Sequence, residues 1–126
     1  MSKAILLKGS CFTLSALRVN NECLVETFIS SLPEKDQNQL VAQLKYIADN
    51  GPPHNEEKFK KLVDDVFQIK TRRGIRVLCF FDGEKSLLLT HGFPKPKSKV
   101  LRVEISKAIE WRKDYFKNKV NLPNKL

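Results

Sequence analysis

The stretch Val66-Phe-Gln-Ile-Lys-Thr-Arg-Arg-Gly-Ile-Arg-Val-Leu-Cys-Phe-Phe-Asp-Gly83 decides the fold class. Its first part alternates, with Phe67 and Ile69 on one side and Gln68, Lys70 and Arg72 on the other, as in a half-buried strand. Arg73-Gly74 signals a turn. Ile75 to Phe81 is apolar apart from Arg76 and reads as a central strand covered on both faces. Asp82-Gly83 is a hairpin signal, and Ser86 to His91 reads as a third strand. Gly92-Phe-Pro-Lys-Pro-Lys-Ser98 is expected to be irregular, because its prolines remove ladder donors and fix backbone angles. A helix follows from about Lys99 to Lys117, with Leu101, Ile105, Ala108, Ile109 and Phe116 as its apolar stripe.

Upstream of that stretch, Leu24, Val25, Phe28, Ile29 and Leu32 recur at helical spacing behind Asn20 and Asn21, two candidate caps. Ser31-Leu-Pro-Glu34 resembles a capping box and opens a second helix whose buried stripe is Leu40, Val41, Leu44, Ile47 and Ala48. Gly51 and Pro52-Pro53 stop it. The first 20 residues are weakly patterned, with a candidate strand around Cys11–Leu14. The order α-α-β-β-β-α predicts an α+β domain: an N-terminal α-hairpin packed on a small antiparallel sheet, with a C-terminal helix. We expect a single domain over residues 1–126, with its core at about 12–117.

The 126 residues carry 23 Lys+Arg against 14 Asp+Glu, a formal net charge of +9. The excess is one-sided: residues 1–65 hold 8 basic and 9 acidic residues, residues 66–119 hold 14 and 5, and Lys125 adds one more. A basic half built on strands, connections and a helix points to a polyanion-facing surface rather than to solubility alone. No apolar run has the length of a signal-peptide core or a membrane span, so a cytoplasmic protein is expected. Cys11, Cys23 and Cys79 form no close pair, and His54 and His91 have no partner at ligand spacing, so neither metal nor cofactor is expected.

Arg76 is the most informative residue, since an Arg on a central strand is costly to bury unless something receives it. Two readings stay open: an ion pair with Asp64 or Asp65, or a phosphate clamp. Lys70 comes close to Arg76 across a short turn, with Arg72 and Arg73 at the tip, while His91 and Lys95, Lys97 and Lys99 follow on the next strand and loop. Such a ring has what RNA cleavage without a metal requires: a base for the ribose 2′-hydroxyl, cations for charge developing on phosphorus, and an acid for the leaving oxygen. A lone His is more often structural than chemical. No Ser-His-Asp or Cys-His arrangement or Gly-rich phosphate loop competes.

The segments Phe67 to Gly83, Leu87-Leu-Leu-Thr-His-Gly-Phe-Pro-Lys95 and Glu104 to Tyr115 together resemble the RelE/ParE toxin superfamily, in its phage-derived HigB-like branch. The resemblance covers about residues 22–117. It implies the toxin of a type II toxin-antitoxin pair, an endoribonuclease that enters the ribosomal A site and cleaves mRNA by 2′-hydroxyl attack, and a cognate antitoxin that is often a helix-turn-helix protein. By position it implies that Lys70 assists proton transfer or stabilises charge, that Arg76 contacts phosphate, and that Lys95 is the basic residue of the loop after the strand. His91 belongs to the signature. Arg72, Arg73, Lys97, Lys99 and Arg102 then read as RNA- or phosphate-binding. Gln68 stands where some members have a second Lys, and Ser98-Lys-Val-Leu-Arg102 lacks the aromatic residue that several members carry near the start of the last helix. The competing readings are a ParE-type, non-enzymatic topoisomerase poison and an inactive RNA-binding prophage remnant.

Overall fold

The computed structural model describes residues 1–120; Lys125 and the end of the expected domain lie outside the described residues. The chain opens with strands, not helices. β1 (Ser2–Lys8), β2 (Thr13–Val19) and β3 (Glu22–Cys23) precede α1 (Leu24–Ser31) and α2 (Glu34–Asn50). Then come β4 (Phe59–Val63), β5 (Val66–Lys70), β6 (Arg76–Gly83), β7 (Ser86–Phe93) and α3 (Ser98–Val120). The sheet has seven strands in the order β1-β2-β7-β6-β5-β4, with β3 paired to β2. It is mixed, because β2 runs parallel to β7 while the other pairs are antiparallel.

This overturns the expected N-terminal α-hairpin on a small antiparallel sheet. The helical periodicities are real, but α1 and α2 cover one face of a larger sheet whose other face is covered by α3. On the first face Val25, Leu40, Leu44 and Ile47 pack with Ile69, Val77, Cys79, Leu87 and Leu89. On the second, Ala108 and Tyr115 pack with Val66, Leu78, Phe80, Leu88 and Phe93. The strands were hidden for physical reasons. β1 is an edge strand with Ile5 65% exposed, so its apolar residues do not mark a buried face. β2 is buried on both faces through small residues, Ser15 and Ala16, and its partner is remote: residues 13–16 pair with 86–89. β4 carries a register shift between Lys61 and Val63, which breaks the alternation that would have shown it.

Local details also differ. Asn20-Asn21 and Asp64-Asp65 both have positive φ and join β2 to β3 and β4 to β5, so the asparagines form a tight hairpin turn and do not cap a helix. Ser31 Oγ donates to the Phe28 carbonyl (2.7 Å) and forms no capping box; Pro33 is the N-cap of α2. Gly51 ends α2, its N–H donating to the Ile47 carbonyl (2.8 Å). The β6–β7 hairpin closes at the pair Gly83–Ser86, so Asp82-Gly83 belongs to the strand and the turn is Glu84-Lys85.

Candidate functional site

The pairing of β5 with β6 sets Lys70 opposite Arg76, and that of β4 with β5 sets Lys60 opposite Gln68. Strand alternation then sends Lys60, Gln68, Lys70 and Arg76 to the α3 side of the sheet. They line a cleft of about 400 Å³, with Leu62 and the first turn of α3 at Leu101 as its apolar walls and Glu56 and Glu57 at its rim. Lys60 was missed in the sequence because β4 was not legible as a strand.

Two buried polar atoms in this cleft have no partner among the described residues: Arg76 Nε and Gln68 Oε1. A buried polar group without a hydrogen bond is uncommon, because leaving one unmade costs about 1–3 kcal/mol. Arg76 Nη1 donates to the Gly74 carbonyl (3.0 Å), which aims the guanidinium. It has no carboxylate partner among the described residues. Asp65, one of the two expected, is taken by Lys61 (3.1 Å) and Arg112 (3.7 Å) instead.

The turn carrying these cations is held from within and from α2. Thr71 Oγ1 accepts the Ile75 N–H (3.0 Å), and Gly74 adopts φ 92°, a conformation that favours glycine. Gln43 Nε2 donates to the Lys70 carbonyl (2.8 Å), Gln39 Oε1 accepts the Arg73 N–H (3.1 Å), and the Arg73 side chain pairs with Asp36. Arg73 is thereby an anchor. Arg72 lines a different cleft, between α2 and residues 51–58. Lys95 is exposed, and its Cβ would lie 3.5 Å from a Cβ on Gly74, so the loop after β7 passes beside the turn. Lys97 and Lys99 are exposed at the start of α3, and Arg102 is exposed on that helix, where it lines a shallow cleft with Val103 and the half-buried Trp111.

His91 is not part of the cationic cleft. Its side chain is 9% exposed under α3, with Nε2 3.0 Å from Glu104 Oε1 and Nδ1 2.9 Å from Thr90 Oγ1. Trp111 meets the ring edge-on, with centroids 5.0 Å apart. Burial lowers the imidazole pKa against the opposing pull of Glu104, which favours the neutral ring. The ring faces Glu104 and Thr90, whose Oγ1 also donates to the Leu78 carbonyl (3.1 Å), and neither nitrogen is directed into the cleft. The next residue, Gly92, is also architectural: a Cβ there would come 2.3 Å from Phe28 of α1.

Tyr115, too late on the helix to replace the absent aromatic, hydrogen bonds to Asp82 Oδ2 (3.0 Å). Burial pushes the Cys79 thiol up, which leaves it inert as a nucleophile. Among the described residues no group of His, Cys, Asp and Glu converges as a metal site, and no helix is long and apolar enough to cross a membrane.

The architecture is thus a sheet sandwiched between helices that holds an open cluster of cations at one end of its central strands. Residues 27–113, over two thirds of the chain, match the family described as Phage derived protein Gp49-like (DUF891), and the chain belongs to that family. The family lies within the RelE/HigB-like superfamily of toxin-antitoxin toxins, so membership is consistent with a toxin, at a coarse level with an RNase toxin, and suggests an antitoxin partner. No curated protein matches the chain.

Proposed function

We propose that this protein is a ribosome-dependent mRNA endonuclease, the toxin of a type II pair, and that the cleft of Lys60, Gln68, Lys70 and Arg76 is where the message is cut. The observation that carries this reading is the unpartnered donor of Arg76 in the same cleft as the unpartnered acceptor of Gln68. A phosphodiester beside a ribose 2′-hydroxyl supplies the complements of both. Arg76 Nε–H donates to a phosphate oxygen, and Gln68 Oε1 accepts a hydrogen bond from the 2′-hydroxyl, orienting its oxygen toward phosphorus. Attack forms the 2′-O–P bond and breaks the P–O5′ bond; the 2′-hydroxyl proton passes to solvent water and the departing 5′-oxygen takes a proton from water, giving a 2′,3′-cyclic phosphate and a free 5′-hydroxyl. Lys60 and Lys70 stabilise the negative charge that builds on phosphorus, and Lys95 adds charge near the rim. Gln68, in the position of a family lysine, becomes an orienting group in this scheme.

The test is to induce the protein in cells and map mRNA 5′ ends, with Arg76→Ala as the control. New 5′ ends that need Arg76 support the reading; growth arrest with intact transcripts overturns it. The seclusion of His91 under α3 favours a second reading, the non-enzymatic topoisomerase poison, since it leaves the cleft without an imidazole acid or base. DNA-damage signalling that persists in the Arg76→Ala variant would select that reading.

A further inference from the structure

A second cleft, of about 620 Å³, lies on the opposite side of the β5–β6 turn, between α2 and residues 51–58. Gln39, Ala42, Gln43, Tyr46 and Asn50 recur at helical spacing along α2 and form one wall, away from its buried stripe of Leu40, Leu44 and Ile47. Tyr46 is 54% exposed and makes no ring contact among the described residues. His54, Lys58 and Arg72 edge the cleft, no Asp or Glu lines it, and none of the three has an ion-pair partner among the described residues.

Its carboxamides are held in place. Gln39 Oε1 accepts the Arg73 N–H (3.1 Å), Gln43 Nε2 donates to the Lys70 carbonyl (2.8 Å), Asn50 Nδ2 donates to the Tyr46 carbonyl (3.1 Å) and Asn55 Oδ1 accepts the Glu57 N–H (2.8 Å). Each bond anchors one end of an amide. The other ends, Gln39 Nε2 and Asn55 Nδ2 as donors and Gln43 Oε1 and Asn50 Oδ1 as acceptors, have no partner among the described residues.

An exposed aromatic face, anchored amides offering both donors and acceptors, and cations without acids match the three parts of a nucleotide. We propose that this cleft binds one unpaired RNA nucleotide, its base stacked on Tyr46, its edge read by the carboxamides, and its phosphate held by Arg72 and Lys58. An acidic peptide would engage the cations, and its backbone could meet the amide ends, but its carboxylates offer no π face to Tyr46. The inference rests on the cleavage reading, because the two clefts flank one segment: His54, Asn55 and Lys58 line this cleft while Glu56, Glu57 and Lys60 line the other. A strand bound at Arg76 reaches Tyr46 by crossing the β4 edge of the sheet.

The experiment measures binding of a short single-stranded RNA by the full chain in an Arg76→Ala background, where no cleavage is needed. Tyr46→Ala is expected to weaken binding about tenfold, Tyr46→Phe to restore it because the ring suffices, and Arg72→Ala to lower both affinity and its salt dependence. Ultraviolet crosslinks mapped to Tyr46 on ribosomes carrying labelled message then tell whether the nucleotide comes from the message or from ribosomal RNA. Binding unaffected by Tyr46→Ala overturns the inference, as does a Tyr46 surface that contacts only a protein. Tyr46-independent binding alongside Arg76-dependent mRNA cleavage removes this inference alone. Tyr46-dependent binding without cleavage removes only the endonuclease reading.

Discussion

Arg76 and Asp82 lie at opposite ends of the same strand, β6, and both project toward α3, yet their surroundings are opposite. The Asp82 carboxylate, fully buried, is met by Lys3 (2.7 Å), Ser86 (2.6 Å) and Tyr115 (3.0 Å), which tie β1, β7 and α3 to the strand. Burial alone would raise its pKa, but these partners outweigh it and hold the carboxyl below its ordinary value. At the other end, Arg76 has one hydrogen bond to a carbonyl, a buried Nε without a partner, and an open cleft before it. All the partners of Asp82 come from the chain, whereas Arg76 leaves a donor facing a cleft, which the proposed phosphate would fill.

The sharpest way to break this contrast is to exchange its consequences. Arg76→Ala is expected to reduce mRNA cleavage by about 10²–10³-fold, the range for losing one preorganised charge-stabilising donor. Its thermal unfolding midpoint should change little, because no internal ion pair is lost. A collapse in stability would make Arg76 structural and remove the contrast. Asp82→Asn is expected to do the reverse, lowering stability by about 2–3 kcal/mol in urea unfolding, less than a fully buried pair because Lys3 is 37% exposed. The pH dependence has a definite sign. With the folded pKa below the ordinary 3.8, the unfolded chain binds the proton more readily. Asp82 therefore contributes fully above pH 3.8, and that contribution is lost as pH falls through the lowered folded value; Asp82→Asn should flatten that part of the acid limb.

The same contrast explains which parts were legible in the sequence. Lys70 and Arg76 could be read because the turn between them is short and local, so alternation alone places them together. Asp82 looked like a turn residue, since its partners Lys3 and Tyr115 come from a strand and a helix distant in sequence. The parallel pairing of β2 with β7 was invisible for the same reason, and Lys60 was hidden by the irregular register of β4. The segment His91-Gly-Phe-Pro-Lys95 carried much of the family resemblance, yet His91 and Phe93 pack under α3 and Gly92 makes room for Phe28. A sequence signature reports both fold and chemistry, and here its first three residues report fold.

His91 sharpens that point with a smaller effect. Its lowered pKa means that the unfolded chain, with an ordinary value of 6.5, takes up a proton that the folded chain resists. Stability should therefore decline as pH is lowered through 6.5 and level off only below the folded value. Unfolding midpoints between pH 5 and 7.5 should show this slope in the wild type and lose it in His91→Gln. Cleavage by His91→Gln at pH 7.5, scaled to folded protein, should stay within about threefold of wild type, because the ring lies under α3 against Thr90 and Glu104 and does not line the cationic cleft. A loss as large as that of Arg76→Ala would return the imidazole to the chemistry.

Lys95 gives the smallest effect and the finest test of where the cleft ends. It is exposed beside Gly74, and among the described residues it has no ion pair that fixes its ammonium group. A solvated cation near a phosphate site acts through a screened field, with a Debye length of about 8 Å at physiological salt, and not through a fixed hydrogen bond. Lys95→Ala should thus lower cleavage only about two- to threefold at low salt, with the difference shrinking as salt rises, whereas the Arg76→Ala defect should persist. Two salt series of cleavage rates separate the cases. If the Lys95→Ala defect matched that of Arg76→Ala and ignored salt, the loop after β7 would have to close over the bound message and desolvate that ammonium, and the proposed cleavage site would extend across the turn to include it.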